Sequence, residues 1–190
     1  MKICGITTPG DAGMAEDAGA DAIGVIVCSD SPRNVSLGRA EEILASIRPF
    51  TTGVCVTHTA SRDDLDAILS LSPSAIQITH PFRIARDAGV KVLRVVRRGD
   101  PVPGDCDAVV VDESQGTGRR YDPAFAAAVV RDHPGVPVIL AGGLTPENVR
   151  AAIQVVRPYA VDVASGVEVR PGVKDAAKVE AFISACRGVM

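Results

Sequence analysis

The chain has 190 residues, 46% of them hydrophobic but only 3% aromatic, with no Trp and a formal net charge of −3. This length suits one domain, residues 1–190, with a core of Val, Ile, Leu and Ala. The acidic balance argues against a nucleic-acid binder, and no apolar run approaches the ~20 residues of a membrane span. The N-terminus lacks the apolar h-region of a signal peptide. The five cysteines, Cys4, Cys28, Cys55, Cys106 and Cys186, have neither zinc-site nor CxxC spacing. The expected address is therefore the reducing cytoplasm, with free thiols and no metal.

Taken in chain order, β-rich runs alternate with Ala-rich helical ones. "KICGI" reads as a strand and "PGDAGMAEDAG" as a helix, with Pro9 in its first turn and Gly19 as its stop. The strand "ADAIGVIV" precedes the helix "LGRAEEILASI", and the strand "TGVCV" precedes "DDLDAILSL". "SAIQI" leads to a short helix near "PFRIARDAG", then to the strand "KVLRVV". The Gly/Pro-rich "RRGDPVPGDC" stands where a fifth helix is due. "DAVVV", "DPAFAAAVVRD", "VPVIL", "TPENVRAAIQVV", "AVDVA" and "DAAKVEAFISAC" complete eight strands and about seven helices. Val- and Ile-rich strands that each feed a helix make a parallel sheet. Eight such units predict an α/β fold of the (β/α)₈ barrel kind, compact because ~200 residues is near the minimum. An open doubly wound sheet is the structural rival.

Barrel chemistry sits where strands end. "LAGGLTPENV" leaves its strand through Gly142 and Gly143, and the residues Thr145 and Pro146 are the expected N-cap and first helical position. "VDVASGVE" leaves the last strand through Ser165 and Gly166. Glycines let backbone N–H groups approach an anion, and this pair of loops is the common phosphate site of the fold. Asp112 follows "DAVVV" and shares a face with Val110, at the rim of the barrel or as a loop or capping residue. The polar "ESQGTGRRYD" beyond it suits a loop that closes over a ligand. Arg33, in "SDSPRNVS", is either a bidentate carboxylate binder or a solvated surface residue. Cys4 shares the inward face with Lys2 and is either core filler or a chemical group. Asp162, Arg94 and Gln77 lie inside apolar strands, so some of them are expected to pair within the barrel. Asp162 is also a candidate for electrostatic support of the site. His58, His80 and His133 have no metal-site spacing, and His80 stands at a strand end.

The segments "KICGIT", "LAGGLTPENV" and "VDVASGVEVRPGVKD" together resemble the phosphoribosylanthranilate isomerase family of tryptophan biosynthesis, and the resemblance runs end to end. It implies an Amadori rearrangement of a sugar-phosphate aminoaldose to an aminoketose, with no cofactor and no metal. It places the family's base on Cys4, its acid on Asp112 and its anthranilate-carboxylate arginine on Arg33. The phosphate-binding backbone falls on Gly142, Gly143, Ser165 and Gly166. The family also commonly lacks a regular fifth helix. There are departures: the usual "QLHG" reads "QITH", so Thr79 replaces the histidine, and the usual "FDW" reads "YDP" at Tyr121–Pro123. Two alternatives stay open: a related sugar-phosphate aminoaldose isomerase, or a phosphate-sugar binding protein that has lost turnover. Neither a nucleic-acid nor a membrane partner is expected, and the sequence leaves the oligomeric state unknown.

Overall fold

The computed structural model describes residues 1–85, 87–112 and 121–189. The strands are β1 (Lys2–Cys4), β2 (Ala22–Val27), β3 (Asn34–Val35), β4 (Thr52–Thr57), β5 (Ala75–Ile78), β6 (Lys91–Val96), β7 (Ala108–Val111), β8 (Val138–Leu140), β9 (Ala160–Val163), β10 (Glu168–Arg170) and β11 (Val173–Lys174). The helices are α1 (Pro9–Ala18), α2 (Leu37–Ser46), α3 (Arg62–Ser70), α4 (Pro123–Asp132), α5 (Val149–Val156) and α6 (Ala176–Arg187). Strands run β1-β9-β8-β7-β6-β5-β4-β2, and β2 pairs back to β1, so eight parallel strands close into a barrel. The closure excludes the open doubly wound sheet. The short β3 pairs in parallel beside the end of β2, and β10 and β11 form a separate antiparallel hairpin.

The Val and Ile runs form these strands because both faces are buried. Ile3, Ile23, Val25, Ile76, Val109, Val111 and Leu140 face the helices, where they pack with Ala12, Ile43, Leu65, Val129, Ile153 and Phe182. Cys4, Ile26, Val54, Val56, Leu93, Val110 and Ile139 fill the barrel interior. The strand period of two thus sends Cys4 inward and Ile3 outward, as the sequence reading expects. Helix α1 starts where Thr8 accepts the Asp11 N–H at 3.1 Å, has Pro9 at its head, and stops at Gly19 in the left-handed region, φ 103°.

Two expectations need correction. No helix forms near Pro81–Gly89 among the described residues. The backbone there is held otherwise: Arg94 donates to the carbonyls of His80 and Phe82, which a helix would use for its first turn. Arg94 thus pairs outside the barrel, with that segment and with Asp105 at 2.8 Å. Finally, α5 starts at Val149 instead of Pro146, with Asn148 as its cap residue and a turn before it that bonds back to the Thr145 carbonyl. The segment between β6 and β7 is non-helical, as its Gly and Pro content predicts.

Candidate active site

A cleft open to solvent lies at the C-terminal ends of the barrel strands. Its lining includes Cys4, Arg33, Asp112, Gly142, Gly143, Asp162 and Ser165, so residues far apart in the sequence meet at one site. Gln77, Ser31 and His58 also border it.

The floor is an ion pair. Lys2 and Asp162 are register partners on β1 and β9, and Lys2 Nζ donates to Asp162 Oδ2 at 2.9 Å and to Gln77 Oε1 at 3.0 Å. Burial works against the Lys2 charge, but Asp162 and Cys4 outweigh it, so the ammonium pKa is raised. Asp162 Oδ1 is buried and accepts no hydrogen bond. Cys4 stands one step along the same inward face. Its thiol fits because residue 24, its register partner on β2, is glycine: a Cβ there would lie 2.8 Å from the sulfur. Burial pushes the Cys4 pKa up, Lys2 opposes this, Asp162 adds to it, and Lys174 opposes it. The nearby cations therefore limit the rise without reversing it.

Asp112 follows β7 directly, with β8 and β9 between that strand and β1. Asp112 and Cys4 thus approach the cleft from separated strands. His58, which follows β4, also borders the cleft, and its Nδ1 is 2.8 Å from Ser29 Oγ. Desolvation lowers the His58 pKa, the neighbouring Asp112 opposes this, and Arg97 adds to it. His80, the strand-end histidine of the sequence reading, does not line the cleft; its ring packs on Phe82 with centroids 4.5 Å apart. Of the expected closing loop, residues 113–122, residues 113–120 lie outside the described residues.

Gly142 and Gly143 have φ values of 95° and 61°, which two successive L side chains would adopt only under strain. Asn148 fixes this turn by donating to the Gly143 carbonyl at 2.9 Å and accepting from the Thr145 N–H at 2.9 Å. Ser165 starts a 3₁₀ turn, Ser165–Val167. Gly166 is set behind the lining, where a Cβ would meet the Leu144 carbonyl oxygen at 1.9 Å, so glycine there lets the two loops touch. Among the described residues, the amides of Gly142, Gly143, Ser165 and Gly166 donate to no backbone carbonyl.

Arg33 is not a solvated surface residue. Only 5% exposed, it pairs with Glu168 through Nε and Nη2 and still borders the cleft. Among the described residues no three His, Cys, Asp or Glu side chains gather as metal ligands. Among these residues, too, no helix is long and apolar enough to cross a membrane.

The family model for N-(5'phosphoribosyl)anthranilate (PRA) isomerase matches residues 1–185. The N-(5'-phosphoribosyl)anthranilate isomerase of Methanoregula boonei is 57% identical over 188 residues, 98% of this chain and 96% of that protein. The crystal structure of phosphoribosyl anthranilate isomerase from Thermus thermophilus superposes with a TM-score of 0.86 at 30% identity, covering 100% of this chain and 98% of that one. A phosphoribosyl anthranilate isomerase in complex with reduced 1-(o-carboxyphenylamino)-1-deoxyribulose 5-phosphate gives a TM-score of 0.79 at 31% identity, covering 98% and 97%. With matches that run almost the whole length in sequence and in structure, the chain belongs to the N-(5'-phosphoribosyl)anthranilate isomerase family.

Proposed function

We propose that the chain acts as one barrel unit that converts N-(5'-phosphoribosyl)anthranilate to 1-(2-carboxyphenylamino)-1-deoxyribulose 5-phosphate, with Asp112 as acid and Cys4 as base. The observation that carries the assignment is that a buried thiol and a carboxylate from separated strands border one cleft with the two Gly-rich turns. The furanose opens when Asp112 protonates the ring oxygen as the C1–O bond breaks and the nitrogen lone pair forms an iminium. The C2 proton is then acidic, and the Cys4 thiolate removes it to give an enolamine, which tautomerises to the ketone. General acid and base groups contribute ~10²–10⁴-fold each, and orientation of the two reacting carbons supplies much of the rest.

Orientation comes from the anchors at the two ends of the substrate. The amides of Gly142, Gly143, Ser165 and Gly166 suit a phosphate, which accepts several N–H bonds at once. Arg33 suits the anthranilate carboxylate. The Lys2–Asp162 pair sets the potential beneath the thiol. A cytoplasmic location fits the five cysteines, all unpaired. The test is to add purified protein to freshly generated phosphoribosylanthranilate and follow the loss of anthranilate-type fluorescence. Binding of the reduced product analogue without turnover would instead support the phosphate-sugar binding alternative.

A further inference from the structure

Glu168, on β10, accepts hydrogen bonds from four donor groups. Arg33 Nε lies 2.9 Å from Oε1 and 3.1 Å from Oε2, and Arg33 Nη2 lies 2.8 Å from Oε2. Lys174 Nζ, across the hairpin on β11, lies 2.8 Å from Oε1, and the Gly172 N–H lies 3.2 Å from it. The three side chains are 6%, 3% and 0% exposed for Arg33, Glu168 and Lys174. The Arg33 stem reaches this position by lying on Gly5, where a Cβ would approach its Cδ to 2.6 Å.

Two features of the cluster point to an anion. Its charge is unbalanced: two cations share one carboxylate, which leaves one positive charge in excess beside the cleft. A buried charge left uncompensated is costly. Its hydrogen bonding is also unbalanced: Arg33 uses Nε and Nη2, and among the described residues Nη1 donates to nothing. We propose that Glu168 is the positioning residue of the carboxylate site, that it fixes the Arg33 guanidinium so that Nη1 serves the ligand, and that Lys174 supplies the excess charge that makes the cluster attract an anion. A Glu168–Arg33 pair alone is neutral and has little pull on a carboxylate. Lys174 restores that pull without touching the ligand. Although burial favours the neutral form of Glu168, the bonds from Arg33 and Lys174 outweigh it and hold its pKa below the usual glutamate value, so it stays anionic.

This inference rests on the reading of Arg33 as the carboxylate anchor, and the experiment separates the two. Two probes are titrated calorimetrically: the reduced product analogue with its aryl carboxylate, and the same molecule with a plain phenyl ring. Arg33→Ala tests the underlying reading, since equal weakening of both probes, or of neither, means that Arg33 does not serve the carboxylate. If Arg33→Ala is selective, Glu168→Gln and Lys174→Met decide the inference. Each is expected to weaken the carboxylate probe ~10-fold or more, in line with a lost charged hydrogen bond, and the phenyl probe by less than about twofold. Lys174→Arg, which keeps the charge, is expected to restore binding. Glu168→Gln is the sharper variant because it raises the cluster's positive charge while loosening the guanidinium. If it binds the carboxylate probe as tightly as the parent, or if folded Glu168→Gln and Lys174→Met proteins lose both probes equally, Glu168 does not position Arg33 for a ligand.

Discussion

Lys2 and Asp162, register partners on the strands that flank the start of the barrel, form a buried ion pair at 2.9 Å on the same inward face as Cys4. The pair is 4% and 8% exposed, so removing one partner strands the other charge. Breaking a buried pair from one side costs about 3–5 kcal/mol. Lys2→Met is therefore expected to lower the free energy of unfolding by that order. The double variant Lys2→Met with Asp162→Leu should cost less than the two single losses added together. Urea unfolding of the four proteins checks this; strict additivity would mean that the two charges do not depend on each other.

Gly143→Val should separate phosphate binding from folding. The position needs φ 61°, which a β-branched residue resists, and the turn carries two of the four amides assigned to the phosphate. The expected result is a folded protein whose affinity for phosphate-bearing ligands drops at least ~10-fold, as loss of charge-assisted hydrogen bonds entails. Calorimetry with the reduced product analogue, alongside a circular dichroism spectrum, reads both quantities. Unchanged affinity would remove this turn from the phosphate site.

Acid stability offers a check on the Glu168 cluster. The folded pKa of Glu168 lies below its ordinary value, so its contribution to stability is complete above the unfolded pKa of about 4.3 and is lost as pH falls through the folded value. Glu168→Gln cannot titrate there. Its stability is lower near neutral pH and is expected to fall less steeply between about pH 4.3 and lower values. Parallel slopes in wild type and variant would show that Glu168 has no special pKa.

The features that were legible in the sequence are those set by local rules. The Val and Ile runs mark strands buried on both faces, and the alternation around Lys2-Ile3-Cys4 assigns the thiol to the interior. Thr8, Pro9 and Gly19 bracket α1 by capping chemistry alone. What was not legible depends on distant partners. Arg33 reads as an isolated cation until Glu168, 135 positions away, closes on it. The helix expected near Pro81 loses its carbonyls to Arg94, a residue of the next strand. His58 reaches the cleft and His80 does not, because the exact strand end decides the face, and strand ends are where pattern reading is weakest. The β10–β11 hairpin leaves no sequence pattern because its strands are only three and two residues long.

The last prediction concerns the reacting pair. If Cys4 is the base and Asp112 the acid, Cys4→Ala and Asp112→Asn should each lower kcat by at least ~10²-fold, the loss of one general acid or base. Neither should much weaken the reduced product analogue, since the phosphate and carboxylate anchors stay in place. Cys4→Ser should also be slow, because a hydroxyl is a far weaker proton acceptor at neutral pH. The protonation state of the thiol adds an independent check. Burial raises the Cys4 pKa above its ordinary value near 9, with Lys2 and Lys174 only limiting the rise. Alkylation by iodoacetamide follows the thiolate. Its rate at Cys4, read by mass spectrometry on the Cys4 peptide, should therefore keep climbing about tenfold per pH unit to beyond pH 9. A rate that levels off near neutral pH would mean that the cations win and the resting group is already a thiolate. Near-normal turnover by Cys4→Ala would make the thiol core filler and move the search for the base to Asp162, which borders the same cleft and whose buried Oδ1 has no hydrogen-bond partner.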